Sequence, residues 1–247
     1  MIEIRVPYEF QGRKFEGMVV ADDSVAGARP VLLMQPDWKG VGPETLKQAR
    51  EIAGRDFVVL MADLYGADYD GENRTREELM ASVKALRGNP SFVCGCSDTA
   101  YAALAAAASK TGLADESRRA MAGYCAGGGY ALEHARAGAD FQAVIVFHVT
   151  NPNPFAADAP CNMRGRVLAL HGSADPVTPK PMMDALQDEL TRAGVDWQVM
   201  MFGGARHSFC DLDVPTTPAT QYDAALCRKS YMLMRDFVAE TFAGQKA

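Results

Sequence analysis

A thiol, a carboxylate and an imidazole occur along this chain in an order that acyl-transfer chemistry can use. Gly123-Tyr124-Cys125-Ala126-Gly127 places a nucleophile between two glycines, each two residues away. An apolar run precedes this segment and a helical pattern follows, the setting in which a nucleophile rides on a tight strand-to-helix turn. Side chains at the two glycine positions would collide with such a turn. At the start of a helix, the dipole and the free N–H groups favour a thiolate, and the N–H of Ala126 is directed at a developing oxyanion. Asp175, within His171-Gly172-Ser173-Ala174-Asp175-Pro176, follows the apolar run 167–170. His207 follows the run 197–202 and the turn Gly203-Gly204-Ala205-Arg206. The order is nucleophile, acid, histidine. The carboxylate would set the imidazole tautomer, and the other ring nitrogen would take the thiol proton.

Taken singly, each segment also fits a plainer role. Cys125 suits a buried cysteine in a glycine-rich turn. A nucleotide loop is the other option there, but the second glycine of a dinucleotide fingerprint is missing and no P-loop Lys-Ser/Thr follows. Asp175 suits a helix N-cap, since Pro176 and a helical pattern come next. His207 suits a surface loop. Three such residues in order, each just after an apolar run, favour catalysis over these separate roles.

The elements that would position them can be read from periodicity. Residues 2–6 and 15–20 read as strands around Gln11-Gly12, and 31–34 and 57–61 as short buried strands. Gly42-Pro43-Glu44 opens a helix with Leu46, Ala49, Ile52 and Ala53 on one face. Helical patterns return at 75–86, 98–109, 127–137, 179–193 and 221–242, and strands at 119–124, 141–149, 167–171 and 197–202. Strands alternating with helices predict an α/β chain, a mostly parallel central sheet with helices on both faces. No composition break divides it, so a single domain over 1–247 is expected.

At these residues the sequence resembles the dienelactone hydrolase family of the α/β-hydrolase fold. The likeness is carried by 123–128, by His171-Gly172-Ser173-Ala174-Asp175 and by Gly203-Gly204-Ala205-Arg206-His207-Ser208-Phe209. It runs from Val31 to the final helix and includes Phe147-His148, 194–198 and 222–225. It implies a Cys125–His207–Asp175 triad that opens a lactone or cleaves an ester through an acyl-thioester. It also implies an acidic residue after the third strand that interacts with the thiol and gates it. Asp37 stands nearest that position, one methylene shorter than the family's usual Glu. By the same match the N–H of Trp38 is the second oxyanion donor. The namesake enzymes hold a substrate carboxylate with arginines, one of them shortly after the histidine. Here Asp211 occupies that stretch, which predicts that neutral substrates are handled at least as well as anionic ones, with Arg74 or Arg76 as the remaining basic contacts. Tyr124, His148 and Phe209 are candidates for the pocket wall. Two other readings stay open: a general small-acyl esterase or thioesterase, and a catalytically weak binding or redox-sensing protein on the same fold.

Composition bounds the partners. Of 247 residues, 25 are Lys or Arg and 31 Asp or Glu, a net charge of -6 with no basic cluster, which argues against nucleic acid and anionic membranes. The apolar runs 141–148 and 100–108 fall short of the roughly 18–20 residues a membrane span needs. The first residues alternate like a strand and carry Glu3 where a signal peptide would be positive, which predicts a cytoplasmic protein. A small-molecule substrate and a monomer or small homo-oligomer are expected. The six cysteines should then be free. Cys161 and Cys227 read as small hydrophobes, Cys210 as an oxidation site near His207. Cys94-Gly95-Cys96 lacks a matching ligand pair, so no metal and no organic cofactor are implied.

Overall fold

The computed structural model describes residues 1–150, 153 and 161–244. Contacts divide the chain into two compact units, Met1–Met121 and Ala122–Ala247.

In the first unit, β1 (Ile2–Phe10) and β2 (Arg13–Ala21) form an antiparallel hairpin from Ile2 opposite Ala21 to Phe10 opposite Arg13. Its two-residue turn puts Gln11 at φ 49° and Gly12 at φ 73°, the left-handed pair that matches the strand twist. β3 (Arg29–Gln35) and β4 (Val58–Met61) pair in parallel and are buried along their whole length. That explains their continuous apolar sequences, since a strand covered on both faces has no polar side. β4 also pairs antiparallel with β2, and the order in this unit is β1-β2-β4-β3-β5, where β5 is Ala114–Tyr124. The helices are α1 (Pro43–Ala53), α2 (Arg76–Arg87) and α3 (Pro90–Ser109). Thr75 caps α2 through a reciprocal box with Glu78.

Two elements are longer than periodicity predicts. α3 begins eight residues before 98, because Asn89 caps the Phe92 N–H and Pro90 takes the first helical position, where its missing N–H costs nothing. β5 begins five residues before 119. That first part is polar and partly exposed, so no apolar alternation marks it.

The second unit continues from the end of β5. α4 (Ala126–Arg136), β6 (Ala143–Phe147), β7 (Arg166–Gly172), α5 (Lys180–Arg192), β8 (Trp197–Phe202) and α6 (Ala224–Gly244) alternate, and β6, β7 and β8 are parallel neighbours. The elbow helix α4 is anchored to α5 by a buried ion pair: Arg136 Nε and Nη2 lie 2.6 and 2.7 Å from the two Glu189 oxygens. A fork-to-fork pair of this kind fixes geometry as well as charge, which holds α4 at a set angle. The architecture is therefore α/β, with a mostly parallel sheet. Among the described residues no helix is long and apolar enough to cross a membrane.

Candidate active site

β5 delivers its last residue, Tyr124, directly into the turn. Cys125 follows at φ 50°, ψ -120°, a conformation that L residues rarely adopt. The strain is held from three sides. The Cys125 N–H donates to the Phe147 carbonyl at 3.1 Å, and the Cys125 carbonyl accepts from Gly128 at 3.2 Å and Thr150 at 2.9 Å. A Cβ on Gly123 would lie 2.2 Å from the Gly127 carbonyl oxygen, so no side chain fits there. The thiol thus stands at the N-terminus of α4. The Ala126 N–H belongs to the first turn, whose donors have no acceptor within the helix.

The loops after β7 and β8 bring the other two groups to the sulfur. His207 Nε2 is 3.2 Å from Cys125 Sγ, and His207 Nδ1 is 2.7 Å from Asp175 Oδ2. The other carboxylate oxygen, Oδ1, accepts the N–H groups of Val177 at 2.7 Å and Thr178 at 3.1 Å. Asp175 therefore closes the turn before α5 and holds the imidazole at once, and Pro179 is the N-cap of α5. His207 is held by its main chain as well. It donates to Ala219 and accepts from Gln221 at 3.0 and 3.1 Å.

Burial works against an imidazolium at His207. The charge of Cys125 and the hydrogen bonds to Asp175 and Cys125 outweigh it and raise the pKa to about 9. Burial likewise opposes the Asp175 carboxylate, but the bond to His207 and its charge hold that pKa below the ordinary value. His171 is also beside Asp175, 3.6 Å from Oδ2, and its Nε2–H donates to the Thr178 carbonyl at 2.8 Å. Burial pushes its pKa down, so it stays neutral and packs behind the acid.

The remaining predicted residues are placed as follows. Tyr124 is fully buried, stacked on Phe147 at 4.5 Å, with its hydroxyl 2.8 Å from that of Tyr231. His148 and Phe209 are also fully buried, and their rings meet edge to face at 5.2 Å. All three are core residues behind the site and present no open wall. Asp211 is buried too, with Oδ1 3.5 Å from His148 Nε2. Its carboxylate faces that imidazole.

Asp37, Trp38, Arg74 and Arg76 lie in the first unit. Asp37 is buried and accepts the Lys39 N–H at 2.7 Å. The Trp38 carbonyl accepts the Tyr69 hydroxyl at 2.8 Å. Arg74 stacks on Tyr69 at 4.4 Å, and Arg76 lies 5.9 Å from the centre of the Trp38 ring.

Two features escaped the sequence reading. Thr150, just beyond β6, places its hydroxyl 2.9 Å from Cys125 Sγ and 3.3 Å from His207 Nε2. Its one sequence signal is a position past the carboxyl end of a strand, where α/β sites are built. The second is a correction. Cys210 and Cys227 form a disulfide with Cα atoms 4.8 Å apart, so neither is a free thiol and Cys227 is more than a small hydrophobe. The chain between them doubles back, with the Asp223 N–H donating to the Phe209 carbonyl at 3.0 Å, and that return brings the two together. Cys94, Cys96, Cys125 and Cys161 are the free cysteines among the described residues. No group of three or more potential metal ligands occurs among the described residues.

Several known proteins resemble this chain in sequence and fold. A dienelactone hydrolase-like promiscuous phosphotriesterase from metagenomic libraries is 29% identical, with a TM-score of 0.87 over 97% of this chain and 98% of that one. A dienelactone hydrolase from Anabaena variabilis is 18% identical with a TM-score of 0.62 over 95% of this chain and 97% of that one, a likeness of fold. A Methylorubrum extorquens protein assigned by name as a carboxymethylenebutenolidase is 23% identical over 221 residues, covering 84% of this chain and 71% of its own. The fold is that of the α/β-hydrolases. Residues 15–242 match the sequence profile of the dienelactone hydrolases, and the chain belongs to that hydrolase family.

Proposed function

We propose that this protein is a cysteine hydrolase that opens lactones or cleaves esters through a thioester on Cys125. The observation that carries the reading is the continuous chain from Cys125 Sγ to His207 at 3.2 Å and on to Asp175 at 2.7 Å. His207 takes the thiol proton, and the thiolate attacks the substrate carbonyl carbon. The oxyanion forms against the Ala126 N–H at the start of α4. The carbon–oxygen bond breaks as His207 returns the proton to the leaving alkoxide. Water then gives a proton to His207, attacks the thioester and releases the acid, and the proton returns to sulfur. The family resemblance adds the Trp38 N–H as second oxyanion donor and Asp37 as the group that gates the thiol. Arg74 and Arg76 keep their assignment as basic contacts for an anionic substrate. The substrate is a small molecule, and the enzyme is one α/β-hydrolase domain, as a monomer or small homo-oligomer.

A turnover screen tests this. It covers lactones with and without a free carboxylate, short-chain esters, and one phosphotriester, because a 29% identical relative is named for that activity. Matched Cys125→Ala protein is the control. Hydrolysis of a lactone or ester by the wild type alone supports the proposal. No turnover of any of them, with a reactive thiol at Cys125, favours the redox-sensing alternative.

The pH dependence follows from the cycle. A His207 pKa of about 9 keeps the imidazolium through neutral pH, where it supplies the leaving group's proton. Expected is a kcat/KM that falls as pH rises through about 9, since this quantity reports the free enzyme. In the acyl-enzyme the sulfur carries no charge. The strongest upward influence on His207 is then gone, and the ring becomes a base at lower pH. A profile of kcat/KM that stays flat well above pH 9 would remove His207 from the acid role.

A further inference from the structure

We propose that Thr150 is a further catalytic residue, the second hydrogen-bond donor to the Cys125 thiolate. The inference rests on the reading of Cys125 as the nucleophile. Sγ of Cys125, Nε2 of His207 and Oγ1 of Thr150 form a closed triangle with sides of 3.2, 3.3 and 2.9 Å. When the thiol proton has moved to Nε2, the imidazolium has no lone pair left to accept with. Of the two other corners, only the sulfur can then accept the threonine hydrogen. The thiolate is held by two donors, an N–H and an O–H, and the threonine keeps its own proton throughout. When the thioester forms, the sulfur gives its electron pair to the acyl carbon and the hydroxyl loses its acceptor.

The fold builds this contact deliberately tight. His148 has φ 34°, a bend that turns the chain after β6 under the elbow. There the Thr150 N–H donates to the Cys125 carbonyl at 2.9 Å. A Cβ on Gly128 would lie 3.2 Å from the Val149 side chain, and one on Gly129 3.5 Å from the Thr150 carbonyl, so the glycines after Cys125 leave room for this segment. Thr178, whose N–H binds Asp175, also donates its hydroxyl to the Val149 carbonyl at 2.7 Å. The acid loop and the Thr150 segment are thereby joined. A β-branched side chain has few rotamers, so a fixed backbone fixes the hydroxyl. Among the described residues, the other ionisable groups around the pair are His207 with Asp175 and His171 behind it, and His148 with Asp211; the His148 ring meets that of His207 edge to face at 5.1 Å.

The test measures the rate of Cys125 alkylation by iodoacetamide against pH, followed by mass on the tryptic peptide 120–136, in which Cys125 is the sole cysteine. Thr150→Val keeps the shape and deletes the donor. A lost hydrogen bond to a charged acceptor predicts a midpoint about one pH unit higher. The plateau rate should rise roughly threefold, because thiolate nucleophilicity increases with thiol pKa. A structural defect would lower the plateau instead. Thr150→Ser should restore the wild-type midpoint, and Thr150→Ala should repeat the valine shift if the valine protein does not fold. Equal midpoints for wild type and the hydroxyl-free variant overturn the proposal. This readout needs no turnover, so it fails independently of the hydrolase reading, which fails in the substrate screen.

Discussion

Cys125→Ala lowers hydrolysis by a factor on the order of 10⁶, the size of loss seen when a triad nucleophile is removed. The expected loss is large because no other group can form the covalent intermediate from this position. Cys125 alone sits at the strained turn, at φ 50°, with the imidazole 3.2 Å away. Of the other free cysteines, Cys96 is buried against the Asp63 carbonyl, its thiol pushed up to about 12 by burial, and so it is a poor nucleophile. Alanine has the same backbone preferences as cysteine at φ 50°, so the variant keeps the elbow and its three backbone hydrogen bonds. Cys125→Ser retains a trace, because a hydroxyl is the weaker nucleophile but His207 can still take its proton. The measurement is kcat on the best substrate of the screen, with thermal unfolding as a check on the fold. Cys94→Ala, Cys96→Ala and Cys161→Ala should each stay near wild type. Hydrolysis within tenfold of wild type in Cys125→Ala would end the thioester mechanism.

Asp175→Asn is the second large effect, a loss on the order of 10⁴ in kcat with the fold retained. The two carboxylate oxygens have different duties. Oδ1 accepts from Val177 and Thr178, and Oδ2 holds His207 Nδ1 at 2.7 Å. Asparagine has one acceptor oxygen, and two backbone N–H groups claim it. Its NH₂ group must then face Nδ1, and it donates where the carboxylate accepted. The neutral imidazole is driven to the tautomer with its hydrogen on Nε2, which cannot take the thiol proton. Turn and loop survive while the base is lost. Nitrogen-15 NMR of His207, recorded above the wild-type pKa of about 9 where the ring is neutral, should show the hydrogen on Nδ1 in the wild type and on Nε2 in the variant. A variant with full turnover, or with the hydrogen still on Nδ1, would contradict this account.

How much of this was visible without coordinates depends on how local each feature is. Cys125, Asp175 and His207 were legible because each follows a largely apolar run within a few residues. The glycines around Cys125 were legible because a tight turn excludes side chains locally, and the 2.2 Å approach to the Gly127 carbonyl is within one turn of chain. Strand and helix types followed from periodicity for the same reason. Where the periodic signal was absent, in the polar first half of β5 and the start of α3, so was the prediction.

Other features depend on which distant segments become neighbours, and no short pattern encodes that. Thr150 meets Cys125 and His207 across sequence gaps of 25 and 57 residues. Cys210 finds Cys227 only because the intervening loop returns on itself. Asp211 was legible only as a carboxylate shortly after His207; that it packs against His148 was decided by the path of the loop. Tyr124, His148 and Phe209 are chemically capable of lining a pocket, and only their packing against Phe147, Tyr231 and one another places them in the core. Local chain stiffness and periodic burial are written into neighbouring residues. The direction a side chain takes, inward or toward substrate, is set by contacts that exist only after the strands have assembled.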